Sequence, residues 1–195
     1  VVWPREQSSK DLPPVEGGFK EFLASFRPPM HNARDFWLAF TGRTLLIFSY
    51  YKILNYQLYI LESYIGQSKT AAAATISIMS VVTMVVALIG SLTSGAISDK
   101  LGRRKIPVNI ASLLLAIGYL LPWVMKTSFS MILFAGFAGL GYAVYGAVDQ
   151  ALNVDVLPNK EEAGKDLGIL NIATTLGQTA GPIVTSALVG MAGYN

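Results

Sequence analysis

Long stretches without a charged residue alternate with short basic segments along most of this chain. Four stretches of this kind, each about 20 residues or longer, are Thr70–Ser98, Ile106–Met125, Thr127–Val148 and Leu167–Asn195. A helix of about 20 apolar residues is long enough to cross the hydrocarbon core of a bilayer. A core helix of a soluble domain needs a polar outer face, and the first stretch offers no charge on any face. The pattern therefore predicts membrane-spanning helices.

A fifth span is predicted over residues 36–61, where Arg43 and Lys52 interrupt an otherwise largely apolar sequence. The five predicted spans are 36–61, 71–98, 106–125, 131–154 and 167–192. Because the connections are short, we expect successive helices to be antiparallel neighbours. The predicted fold class is all-α, a polytopic membrane helix bundle, with a transmembrane domain over residues 36–195.

Residues 1–35 are predicted to form a cytoplasmic linker with one short amphipathic helix. Phe19, Phe22, Leu23 and Phe26 follow the i, i+3, i+4, i+7 spacing of a helix face, with charged residues between them. Such a helix lies either on the cytoplasmic membrane surface or against protein, and the sequence leaves both open.

The distribution of charge gives the predicted orientation and excludes several classes of function. Only 14% of the residues are charged, whereas soluble domains have about 25%. If residues 1–35 are cytoplasmic, the inner segments hold eleven of the fifteen Lys and Arg residues, which predicts a multi-pass cell-membrane protein with a cytoplasmic N-terminus. A net charge of +3, spread over loops, argues against nucleic-acid binding. We expect no metal, no cofactor and no enzymatic activity, because no catalytic or metal-ligating constellation is visible.

The segment between the second and third predicted spans carries the most specific motif. It reads Gly95-Ala96-Ile97-Ser98-Asp99-Lys100-Leu101-Gly102-Arg103-Arg104-Lys105. This segment resembles the cytoplasmic loop signature of the major facilitator superfamily, and every defined position matches. The resemblance implies that Asp99 and Arg103 belong to a network that locks one conformation and breaks during transport. For Glu161 and Glu162 a solvated loop is the favoured interpretation.

The resemblance also implies an architecture and a function. Members of that family have twelve helices in two halves, and the signature follows the second helix of each half. The chain is therefore expected to supply helices seven to eleven, with the missing N-terminal six-helix half and the lipid bilayer as partners. The implied function is secondary transport of a small polar solute by alternating access. A half-length membrane structural or interaction protein is the alternative.

A narrower resemblance concerns the type of solute. The segments Tyr56-Gln57-Leu58-Tyr59, Val148-Asp149-Gln150-Ala151-Leu152 and Asp155-Val156-Leu157-Pro158 resemble sugar-and-cation symporter-like members of the family. This resemblance favours uptake of a sugar or similar solute, with proton coupling as one mode, over drug efflux.

Polar side chains within the predicted spans are candidates for the solute or proton path, because burial in hydrocarbon is costly. The candidates are Arg43, Lys52, Asn55, Tyr56, Gln57, Tyr145, Asp149, Asn153, Asn171, Thr175 and Gln178. Counting about 1.5 Å per residue from the inner helix ends puts Arg43 and Asp149 at similar depths, so they are predicted to form a buried ion pair. Lys52 lies farther out, where it reaches the outer interface or the missing half. The pair is either structural or part of proton coupling.

Overall fold

The computed structural model describes residues 28–30, 33–101, 105–158 and 163–192. The predicted amphipathic helix, Gly102, Arg103 and Arg104, and the acidic pair at 161–162 lie outside this part of the chain. The backbone at Gly95, Asp99 and Lys100 is helical, but their side chains also lie outside the described set. The predicted locking network of the signature loop therefore stays a prediction.

The described residues form a helix at each of the five places that the sequence predicts. The helices are α1 (Arg34–Tyr59), α2 (Lys69–Leu101), α3 (Lys105–Val124), α4 (Ser128–Asp155) and α5 (Ala163–Ala192). A single π-helical turn, Ile60–Tyr64, extends α1 and was not predicted. The all-α fold class is confirmed.

Three of these helices are long and apolar enough to cross a membrane: Lys69–Ser94 of α2, Ile106–Val124 of α3 and Ser128–Asp149 of α4. α1 and α5 are similar in length but contain more polar residues. Length and composition thus support three of the five predicted spans. The span in α5 was predicted from the lack of charge after Leu167. The many Thr, Asn, Gln, Gly and Pro residues of this helix nevertheless lower its mean hydropathy.

The helices pack as a three-helix layer and a pair. α4 lies between α2 and α3 and packs along both, while α1 packs along α5. The expectation that successive helices are neighbours is therefore confirmed for α3 and α4 and is wrong for the other consecutive helices, which meet only at a few residues. Glycine makes both arrangements possible. A Cβ atom at Gly141 of α4 would lie 2.8 Å from the carbonyl oxygen of Ala111 on α3, and one at Gly177 of α5 would lie 2.8 Å from that of Thr44 on α1. These glycines allow the backbones to approach closely.

Two apolar clusters join the pair to the layer and fix the start of α1. The larger cluster includes Tyr50 of α1, Met79 of α2, Leu115 of α3 and Phe134 of α4. The smaller cluster packs the start of α1 against the start of α5, and its members are Ala33, Phe36, Ile169 and Leu170. Both clusters together hold α1 in the position from which Arg43 reaches α4.

Gln67 connects the segment after the π-helical turn to two helices. Its amide Nε2 donates a hydrogen bond to Ser128 Oγ at the start of α4, and its Oε1 accepts one from Thr75 Oγ1 on α2 at 3.2 Å. Gly66 has a φ of 84°, in the left-handed region that glycine tolerates best. This turn places Gln67 between α2 and α4.

Candidate functional site

Arg43 is the centre of the most charged site among the described residues. Its Nη1 lies 2.9 Å from Asp149 Oδ2, and the two side chains are only 7% and 6% exposed. The ion pair predicted from depth is therefore present, between α1 and α4. A buried charge of either sign is costly unless it is paired, so each residue depends on the other.

The guanidinium group of Arg43 also contacts α5. Its Nε donates a hydrogen bond to Thr174 Oγ1 at 2.8 Å, and Nη2 donates one to Asn171 Oδ1 at 3.4 Å. One side chain thus connects three helices, one of them in the layer and two in the pair. Any movement of α1 and α5 relative to α4 would have to change these contacts.

Asp149 has its own neighbours on α4. Asn153 Nδ2 donates to Asp149 Oδ2 at 3.2 Å, and Tyr145 is close enough for its hydroxyl group to interact with the carboxylate. Asp149 Oδ2 is the oxygen that pairs with Arg43 Nη1, whereas Asp149 Oδ1 is buried and forms no hydrogen bond within the described part of the chain. Buried charged groups strongly favour additional hydrogen-bond partners, so the ion pair is incompletely satisfied.

An aromatic cluster lies next to this pair, toward α2. The rings of Tyr50 and Tyr142 stack with centroids 4.3 Å apart and planes 8° apart. Tyr51 meets Tyr142 at an angle of 75°. Offset and edge-to-face arrangements of this kind stabilise aromatic packing beyond simple burial.

Two adjoining cavities of about 360 and 570 Å³ lie where α1, α2 and α4 meet. They share Tyr50, Thr83 and Gly139, and polar groups of both include Gln57, Ser80 and Ser91. The lining carries hydroxyl, phenol and amide groups and contains no charged side chain. Such a surface is suited to a neutral polar molecule.

A third cavity, of about 400 Å³, lies on another side of Arg43, between α1, α3 and α4. Arg43 and Tyr145 line it, together with Ser49, Ser112 and Tyr119. Tyr119 donates a hydrogen bond to Ser49 Oγ at 3.0 Å, which joins α3 to α1. The remaining lining residues are apolar or glycine.

The other predicted candidates are not gathered at the ion pair. Asn55 is exposed and donates to the Tyr51 carbonyl of its own helix at 2.9 Å, and Tyr56 donates to the Pro182 carbonyl at 3.5 Å. Lys52 and Gln178 are half-buried, and Thr175 is exposed. The structure thus brings together Arg43, Tyr145, Asp149, Asn153 and Asn171, while Gln57 lines the neighbouring cavity.

Sequence reasoning missed two polar residues. Thr174 contacts Arg43, whereas the predicted Thr175 does not lie at the pair. Asn171 and Thr174 are three residues apart on α5, and that spacing is the signal that could have identified Thr174. The second is Asp166, in the first turn of α5, which is 1% exposed and lies 4.0 Å from Lys165 Nζ.

Comparison with protein families gives one match. The model of the Major Facilitator Superfamily matches residues 36–195, which include all the residues of the ion pair and of the three cavities. No curated protein and no solved structure matches the chain.

Proposed function

Because this chain belongs to the Major Facilitator Superfamily, a family of membrane transporters, we propose that it moves a small polar solute by alternating access, driven by proton coupling at Asp149. The observation that carries the proposal is the buried Arg43–Asp149 ion pair, which joins α1 and α5 to α4. Alternating access requires groups of helices to move relative to one another. If α1 and α5 move relative to α4, the distance between Arg43 and Asp149 changes.

The proposed coupling step follows from the energetics of the pair. While Arg43 lies 2.9 Å from Asp149, the carboxylate is stabilised in its charged form. If Arg43 moves away with α1 and α5, the carboxylate is left buried with Asn153 and Tyr145 as its neighbours. An unpaired carboxylate in apolar surroundings is more stable when protonated. Proton uptake and helix movement are therefore linked.

The cavities between α1, α2 and α4 support a neutral, sugar-like solute. Their hydroxyl and amide groups can donate and accept hydrogen bonds, and the face of a tyrosine can pack against the apolar face of a sugar ring. Uptake, rather than drug efflux, is proposed from the resemblance of the Asp149 segment to symporter-like members of the family.

The proposal further assigns the chain to the C-terminal half of a cell-membrane transporter, with a cytoplasmic N-terminus. The position of the signature loop after the second helix supports this assignment, and so does the concentration of basic residues in the inner segments. The other six-helix half would then supply the opposite wall of the solute path.

The direct test is Asp149→Asn in the full-length protein reconstituted in liposomes. Radiolabelled glucose, maltose and sucrose serve as probes, and an internal pH indicator reports proton movement. We expect loss of uptake driven by a pH gradient with retained exchange of the same sugar across the membrane. Glu62→Gln, the same chemical change in the π-helical turn, should leave both unchanged. Unchanged proton-driven uptake in Asp149→Asn would contradict the coupling role.

A further inference from the structure

The cavity between α1, α3 and α4, called the side crevice below, is distinct from the proposed solute cavities. It shares no lining residue with them. Its polar lining residues are Arg43, Ser49, Ser112, Tyr119 and Tyr145, and the rest of the lining is apolar or glycine. Only Arg43 belongs both to this lining and to the ion pair, so the crevice reaches the pair from a separate side.

The register of the helices gives the direction and length of the side crevice. Leu38, Val108 and Leu152 each lie about one turn from the end of their helix, and these ends are on the same side of the bundle. Ser49 lies eleven residues beyond Leu38, a rise of about 16 Å. The Ser49–Tyr119 hydrogen bond joins the far end. The crevice therefore begins near one surface of the membrane domain and passes Arg43 on its way inward.

The inner wall offers the hydrogen-bonding groups that ordered water requires. Arg43 Nη1 is occupied by Asp149 Oδ2 at 2.9 Å, but Asp149 Oδ1 is a buried acceptor without a hydrogen-bond partner in the described part of the chain. The Tyr145 hydroxyl interacts with that carboxylate. A buried water needs two to four polar partners and a small fraction of the roughly 400 Å³ present here.

A lipid chain suits the wall less well than water does. Apolar side chains line most of the side crevice, so an acyl chain would fit most of its length. It would leave the Asp149 Oδ1 acceptor without a partner, which is costly for a buried charged group. Water satisfies this acceptor, because it can donate a hydrogen bond to Asp149 Oδ1.

We propose that the side crevice is a water-filled path that exchanges protons between one membrane surface and Asp149. This inference rests on the proposed proton coupling and adds the route. When Arg43 has moved away, a hydronium ion at the inner end of the crevice transfers its proton to the Asp149 carboxylate and becomes water, and the reverse step returns the proton before Arg43 pairs again. The titratable or charged groups that face Asp149 are Arg43 from α1 and Tyr142 and Tyr145 from α4. Asn171 and Thr174 of α5, which accept hydrogen bonds from Arg43, carry no titratable group.

Cysteine labelling tests the route without relying on transport. The chain contains no cysteine, so single cysteines can be introduced into the reconstituted full-length protein after replacing any cysteine elsewhere. Ser112 lines the crevice, so Ser112→Cys is the test variant. Its neighbour Leu113, which is 62% exposed and does not line the crevice, gives the control variant Leu113→Cys. Thiols react as thiolates, which need water to form. We expect a charged methanethiosulfonate reagent to label Ser112→Cys at least about tenfold faster than Leu113→Cys.

The opposite results would overturn the proposal. Ser112→Cys and Leu113→Cys would then be labelled equally slowly. If brominated lipid also quenches a fluorophore attached at Ser112→Cys, an acyl chain occupies the crevice. A second variant, Ala116→Trp, fills the crevice and should slow proton-driven uptake at least about tenfold while sugar exchange continues; unchanged uptake would contradict the route. If Ser112→Cys is labelled rapidly but Asp149→Asn keeps its coupling, the crevice is hydrated and the proposed function is wrong instead.

Discussion

Arg43 Nε donates a hydrogen bond to Thr174 Oγ1 over 2.8 Å, so the guanidinium group that pairs with Asp149 on α4 is also held by α5. Asn171 holds the same group more weakly, at 3.4 Å. The arrangement fixes the direction in which the charge of Arg43 points. Through these two hydrogen bonds to Arg43, α5 can influence the ion pair, although neither bond involves Asp149.

We expect Thr174→Val to destabilise the protein by about 1–3 kcal/mol, because it leaves the Arg43 Nε donor buried without its acceptor. Valine keeps the shape of threonine, so packing changes little. Thermal unfolding in detergent measures the loss, and Thr174→Ser, which retains the hydroxyl group, should restore most of the stability. Thr175→Val at the exposed neighbouring position is the control and should change stability little.

The ion pair should be strongly non-additive. Arg43→Ala and Asp149→Ala each leave one buried charge without its partner, and each should cost about 3–5 kcal/mol. The double variant removes both charges and should cost clearly less than the sum of the single variants. Unfolding of all four proteins in one detergent gives the coupling energy. A double variant that costs the full sum would show that the pair contributes no mutual stabilisation.

The positions of the helices could be predicted from the sequence because each is a long segment with few charges, bounded by turns or charged residues. The Arg43–Asp149 pair could also be predicted, because the depth of a residue follows directly from its distance to a helix end. Two opposite charges at one depth in an apolar layer have few alternatives to pairing. Here local sequence and simple geometry determine the result.

The choice of packing partners could not be predicted in this way. That α1 packs along α5 depends on Gly177 and Gly181, where two backbones approach closely, and the sequence does not indicate which helix fills a glycine face. Thr174, rather than Thr175, contacts Arg43 because of the rotation of α5 in that packing. The π-helical turn is likewise a local adjustment without a distinct sequence signal.

Gln67→Ala should loosen the segment that joins α1 to α2. The substitution removes the hydrogen bonds to Ser128 and Thr75, and two such bonds together contribute about 1–3 kcal/mol. We expect faster amide hydrogen exchange over Ile60–Tyr64 and at the start of α4, with a lower unfolding temperature. Ser63→Ala, exposed in the same turn, should change neither measurement. Unchanged exchange in Gln67→Ala would show that these bonds do not hold the turn.

Gly177→Ala should separate α1 from α5. The added Cβ would lie 2.8 Å from the Thr44 carbonyl oxygen and 2.9 Å from Ile47 Cβ, so the two helices must move apart. Overpacking of this kind costs about 1–3 kcal/mol, and the shift also displaces Thr174 from Arg43. Gly168→Ala on the same helix meets nothing within 4 Å and should be neutral or slightly stabilising, because alanine favours helix. Thermal unfolding of both variants is the measurement, and equal stability of the two would contradict close packing of α5 on α1 at Gly177.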